Sequence, residues 1–161
     1  MAAKAKSAAK KTAPPPMKPR KLAAGEYATL APYLRVRGGK KAIEFYKEAF
    51  AAKTRMVMEA EDKKRLMHAT LLINGGELML SDEFPEFGNM ATKSPTEAKT
   101  TTVTIHLQVD DADKWWARAT AAGAKQVMAL EDQFWGDRFG MLRDPFGHIW
   151  SIGGPIKKKR G

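Results

Sequence analysis

The sequence predicts an α+β fold built from two tandem βαβββ modules, and three observations carry that prediction. From Tyr27 onward the chain can be laid on itself with a shift of about 73 residues, and internal repetition constrains a fold more than any single motif. Each copy reads as strand, turn, helix and then three extended runs. The first strand of each copy alternates apolar and polar residues with a period of two.

In the first copy, Leu34 and Val36 alternate with Tyr33, Arg35 and Arg37, ahead of Gly38-Gly39 and a helical run from Lys40 to Phe50. Ile43, Tyr46 and Phe50 share one stripe of that helix. Three extended runs follow, Thr54 to Glu59, Arg65 to Ile73 and Glu77 to Ser81, with Asn74-Gly75-Gly76 as a short hairpin turn. In the second copy, Ile105, Leu107 and Val109 alternate with His106 and Gln108. Asp110 or Asp111 is placed to cap a helix from Ala112 to Ala122, and Gly123 to end it. Trp115, Ala119 and Ala122 form its stripe. The extended runs here are Gln126 to Ala129, Arg138 to Arg143 and His148 to Ile152, with Asp144-Pro145-Phe146-Gly147 as the turn between the last two. Residues 83–99, rich in Pro, Gly, Ser, Thr and charge, read as the loop joining the halves.

A chain of 161 residues suits one domain with a single core. The absence of cysteine excludes disulfides, thiolate catalysis, zinc-thiolate sites and iron-sulfur clusters. No run of about 18 apolar residues is present to span a bilayer, and the first residues lack the apolar stretch of a secretory signal, so the expected location is cytoplasmic and no membrane partner is expected.

The net charge of +10 belongs to the ends of the chain. Residues 1–25 carry Lys4, Lys6, Lys10, Lys11, Lys18, Arg20 and Lys21 and no acid, and Lys157, Lys158, Lys159 and Arg160 follow the last strand. The segment 26–156 is close to neutral. The organisation expected is therefore a disordered basic tail at 1–25, a domain at 26–156 with modules at about 27–82 and 101–153, and a short basic tail at 157–161. Interleaved Lys and Ala in the first tail suit weak, sequence-independent phosphate contacts with nucleic acid, or simply a solubilising extension.

Asp144-Pro145-Phe146-Gly147-His148, followed by Trp150, resembles the vicinal oxygen chelate superfamily of glyoxalase I, bleomycin- and fosfomycin-resistance proteins and extradiol dioxygenases. Pro145 presets the turn and Gly147 can take the positive φ that re-enters the last strand. A closer resemblance, to the PhnB-like branch, runs through residues 31–34, 42–46, 67–69, 78–82 and 134–140. The resemblance implies a U-shaped mixed sheet of eight strands around a cavity, helices outside, and often a homodimer. Metal-using relatives place His or Glu on the first strand of each module and on the last strand. Carried over residue by residue, those positions are Ala31, Thr104, Met79 and Ser151, and none supplies an imidazole or carboxylate. No cofactor is expected, and a divalent metal enters only if the strand register slips by two and brings His106 to the Thr104 position.

The same alternation turns Tyr33, Arg35, His68, Thr70, Met79, Ser81, Thr104, His106 and Gln108 toward the cavity, and Leu34, Val36, Leu78, Leu80, Trp150 and Ile152 under the helices. His68 and His106 are the candidates for proton transfer; as strand residues they also suit plain cross-strand hydrogen bonding. Asp82 reads either as an acid at the pocket mouth, binding ligand, or as a cap of the following loop. In the stretch 133–140, Trp135 and Phe139 can stack on a flat ligand and Arg138 can hold its carboxylate or phosphate, or the aromatics seal a core or dimer interface. One of Trp115 and Trp116 is expected against the sheet and the other at the surface, as an oligomer contact. His148 is expected to hold the turn. Three functions follow: a metal-free binder of a small, partly aromatic or apolar molecule; an enzyme of the lyase, isomerase or dioxygenase-like kind using His68 or His106; and a nucleic-acid-associated ligand sensor acting through the basic tail.

Overall fold

The computed structural model describes residues 30–90 and 92–157; the readings of the tail at 1–25 and of residues 158–161 lie outside them. The first module comprises β1 (Tyr33–Val36), α1 (Gly39–Phe50), β2 (Lys53–Glu59), β3 (Leu66–Ile73) and β4 (Gly76–Asp82). After a 3-10 segment (Pro85–Met90) and the single-turn α2 (Pro95–Ala98), the second module repeats the order. It comprises β5 (Thr104–Gln108), α3 (Ala112–Ala121), β6 (Lys125–Asp132), β7 (Asp137–Arg143) and β8 (Ile149–Pro155).

Each module makes one mixed four-stranded sheet, ordered β1-β4-β3-β2 and β5-β8-β7-β6. The first strand runs parallel to the last, and the remaining pairs are antiparallel. Local chemistry sets the joints. Asn74 and Gly75 both take positive φ, as a two-residue hairpin of this twist requires. Asp111 caps α3, its carboxylate accepting from Lys114 N, and it also pairs with Lys157, which lowers its pKa.

The two helices pack on each other and cover one face of both sheets, so a single core runs through the molecule. Val36, Tyr46, Phe50, Leu66, Leu71, Leu80, Leu142, Trp150 and Ile152 are its large, fully enclosed side chains. Phe50 and Trp150 meet at 4.4 Å between ring centroids, across the module boundary.

The edges of β1 and β5 are closed by side chains rather than by a seventh hydrogen-bonded ladder. His148 Nε2–H, in the turn before β8, donates to the Arg35 carbonyl at 2.9 Å. Asn74 Nδ2–H, in the turn before β4, donates to the Gln108 carbonyl at 2.7 Å. Arg35 and Gln108 are equivalent under the repeat, so each module's last turn satisfies the same exposed carbonyl of the other. Edge groups left open invite foreign strands, and this reciprocal lock closes them while fixing how the modules sit.

The turn of residues 144–147 anchors the second module to the first helix. Gly147 N donates to the Asp144 carbonyl at 3.1 Å and Gly147 has φ of 90°. The buried Asp144 carboxylate accepts four hydrogen bonds: Phe146 N and His148 N on Oδ1, and the Tyr46 hydroxyl and Trp150 Nε1 on Oδ2, all at 2.8–2.9 Å. Burial first, and then the Asp144 charge, push the Tyr46 phenol well above its ordinary pKa, so it stays a donor.

Candidate functional site

The face of each sheet turned away from α1 and α3 carries the candidate residues. On the first module, strand pairing sets Tyr33 beside Met79 and Arg35 beside Ser81, with Thr70 next to Met79 and His68 next to Met58. Tyr33 OH lies 2.9 Å from His68 Nδ1, and His68 Nε2 lies 2.9 Å from Thr70 Oγ1. The Arg35 guanidinium lies 5.2 Å from the centre of the Tyr33 ring and bonds the Thr92 hydroxyl. Ser81 Oγ is the one buried side-chain polar atom without a partner among the described residues.

The second module repeats this layout with the two aromatic roles exchanged. His106 occupies the position equivalent to Tyr33, and Phe139 the position equivalent to His68. The His106 and Phe139 rings stack at 6.1 Å and 20°, where Tyr33 and His68 meet edge-on at 5.3 Å. His106 Nε2–H donates to Gln108 Oε1 at 2.9 Å, which leaves Nδ1 to accept from Ser151 Oγ–H at 2.9 Å. Trp135 sits edge-on to Phe139 at 5.8 Å and is half exposed. Thr104, first residue of β5, is on the same face and exposed. His106, not Thr104, is level with Ser151.

His106 lies flat because β8 has no side chain beneath it: a Cβ on Gly153 would come within 2.9 Å of His106 Cε1. Gly153→Ala is expected to lift the ring off both its partners and to cost about 1–2 kcal/mol through overpacking. Urea denaturation measures the cost, and the ¹⁵N resonances of His106 report the lost bonds.

Two expected site residues lie elsewhere. Arg138 is next to Phe139 on β7 and therefore points to the opposite face. There it pairs with Asp113, on the first turn of α3, and with Asp132, at 2.9 and 3.1 Å, contacts that raise its pKa. It is a strut of the helix layer, and not a partner of Trp135. Asp82 is buried under the helix face. Its carboxylate accepts from Gly38 N, Gly39 N and Leu66 N at 2.7–3.1 Å, which caps α1 and pins the start of β3. Trp115 and Trp116 are both partly buried and packed against the core, in place of the expected split into one enclosed and one surface ring. The most exposed aromatic among the described residues is Phe134, 98% exposed at the tip of the β6–β7 hairpin beside Trp135. Sequence reading placed no role on Met56 and Met58, which add exposed apolar surface to the first open face through β2.

Residues 27–152 match the Glyoxalase/Bleomycin resistance protein/Dioxygenase superfamily. The chain belongs to this superfamily. An uncharacterised protein of Mycobacterium bovis is 46% identical over 129 residues, covering 80% of this chain and 84% of its own. Among solved structures, protein PA1353 from Pseudomonas aeruginosa superposes with a TM-score of 0.64 at 25% identity, over 81% of this chain and 99% of that one. The PhnB protein of Bacillus cereus, described as a putative 3-demethylubiquinone-9 3-methyltransferase, shares the fold with a TM-score of 0.60 at 18% identity, over 79% and 99%.

Many superfamily chemistries run on a divalent metal, and the donor set here does not fit one. Ala31, Met79, Thr104 and Ser151 offer no imidazole or carboxylate, and the observed register, with Tyr33 level with Met79 and His106 level with Ser151, adds one imidazole and no carboxylate. Each open face holds a single imidazole with hydroxyl, amide and aromatic neighbours, and no three His, Asp or Glu converge among the described residues. A divalent ion of the superfamily type needs several such donors together.

Proposed function

We propose that this superfamily member binds a small, partly aromatic or apolar molecule without a metal, and does so as a homodimer. The observation that carries the reading is the pair of open sheet faces, each with an aromatic ring set against a hydrogen-bonded imidazole. Tyr33 with His68, and His106 with Phe139 and Trp135, offer flat apolar surface bordered by fixed donors and acceptors, the make-up of a ligand site. Apolar side chains on the outer strands support a second copy as cover: Met56 and Met58 on β2 and Val127 and Met128 on β6 are exposed in one chain. No helix among the described residues is long and apolar enough to cross a membrane.

The hydrogen bonds favour sequestration over catalysis. A general base needs a lone pair aimed at substrate, and both ring nitrogens of His68 and of His106 are already held by neighbours. Titration of a flat aromatic dye, followed by Trp135 fluorescence, is expected to saturate, and Phe139→Ala is expected to weaken binding about tenfold. Light scattering of the purified protein is expected to give twice the chain mass. Stoichiometric Ni, Zn, Mn or Fe that survives dialysis, or an unaltered affinity in Phe139→Ala, overturns the reading.

A further inference from the structure

A second recess lies in the seam between the modules, with a volume of about 630 Å³, and meets the first open face at Tyr33 and Arg35. That size suits a small molecule. One wall is apolar, from Pro32, Leu34, Val103 and Ile105, and the other is cationic and rich in hydroxyls, with Arg35, Lys93 and the threonines of the linker. No Asp or Glu lines it.

Arg35 is set apart from the other arginines among the described residues. Arg37, Arg65 and Arg138 each hold two carboxylates, Arg55 pairs with Glu77, and Arg118 and Arg143 bond backbone carbonyls. Arg35 uses only Nε, on Thr92, so both terminal nitrogens of its fork lack a partner among the described residues. Because Thr92 Oγ1 accepts that bond, its own O–H remains free to donate. Lys93 is held loosely, 3.9 Å from Glu97. A planar guanidinium fork with neighbouring hydroxyl donors and no counter-ion among the described residues matches the geometry of an oxyanion.

We infer that the seam cavity binds the acid group of a small organic acid or phosphate ester, held by Arg35 and Thr92, with its apolar body against Leu34, Val103 and Ile105. This rests on the small-molecule reading above only in requiring a ligand; it adds the charge that the ligand carries and the place where that charge docks.

Calorimetric titration of the full chain with benzoate, phenyl phosphate and the neutral benzyl alcohol tests it. The two anions are expected to bind about tenfold or more tightly than the alcohol, and whichever anion leads identifies carboxylate or phosphate as the preferred group. Arg35→Gln is expected to erase the difference between charged and neutral probes, and Thr92→Val to reduce it. The Arg35 carbonyl that His148 uses is backbone, so the variant keeps the module lock, and its melting temperature is expected to stay near that of the parent. Equal binding of anions and alcohol by the parent protein, or an anion preference that persists in Arg35→Gln, overturns the inference. Dye binding through Trp135 and Phe139 is a separate readout: its loss with anion selectivity retained sinks the open-face reading and leaves this one standing.

Discussion

Replacing Asp144 by alanine is expected to cost roughly 4–5 kcal/mol. The carboxylate is buried and holds two backbone amides of its own turn, the Tyr46 hydroxyl of α1 and the Trp150 indole of β8. Alanine leaves those donors without partners, three of them in residues under about a tenth exposed and one in fully enclosed Tyr46. A buried donor left unpaired costs about 1–3 kcal/mol. Against a typical stability of about 5–15 kcal/mol, most of the reserve goes. Asp144→Asn separates the parts: Oδ1 still serves the turn, the Tyr46 hydroxyl can rotate to accept, but the indole N–H then faces an amide N–H. Adding Trp150→Phe to Asp144→Asn is therefore expected to cost less than Trp150→Phe costs alone, in a urea double-mutant cycle. Strict additivity would show that the indole bond contributes nothing.

The turn that carried the family resemblance is thus the fastener between helix and sheet, and much of the fold was legible because such features are local. The repeat, the alternation along β1 and β5, the hairpin at Asn74-Gly75 and the cap at Asp111 each depend on residues close in sequence. What was not legible depends on distance or on strand ends. The bond from Tyr46 to Asp144 and the reciprocal pair of His148 to Arg35 and Asn74 to Gln108 join modules far apart in the chain, and no local pattern announces them. The repeat did place Asn74 and His148 in corresponding turns, which was the one available signal.

The errors at the site share a cause. Arg138 was grouped with Trp135 and Phe139 around one ligand although it opens an extended run; β7 begins at Asp137, and strand alternation sends Arg138 and Phe139 to opposite faces. Similarly β4 runs one residue past Ser81, and that residue turns inward. Trp115 and Trp116 both find cover because the second helix is flanked by the sheet on one side and by the module seam on the other, a geometry that a helical wheel of one segment does not contain.

That one-residue extension of β4 gives the second large prediction. Asp82→Ala is expected to destabilise the protein by roughly 3–4 kcal/mol while leaving ligand affinity unchanged, because its carboxylate serves three backbone amides and the positive end of α1. An acid at a pocket mouth would behave in the opposite way, with stability intact and binding lost. The fit around the cap supplies an internal check. A Cβ on Gly39 would stand 2.6 Å from Asp82 Oδ2 and 3.0 Å from Leu66 Cδ1. Gly39→Ala alone should therefore force the carboxylate off its amides and cost about 2–3 kcal/mol. With Asp82 already reduced to alanine the clash with oxygen is gone and only the leucine must yield, so the same Gly39→Ala change should cost about 1 kcal/mol less. Chemical denaturation of the four proteins in the cycle measures the coupling. A coupling of zero would mean that Asp82 does not hold the start of α1, and its place as the cap that joins helix, β3 and β4 would have to be abandoned.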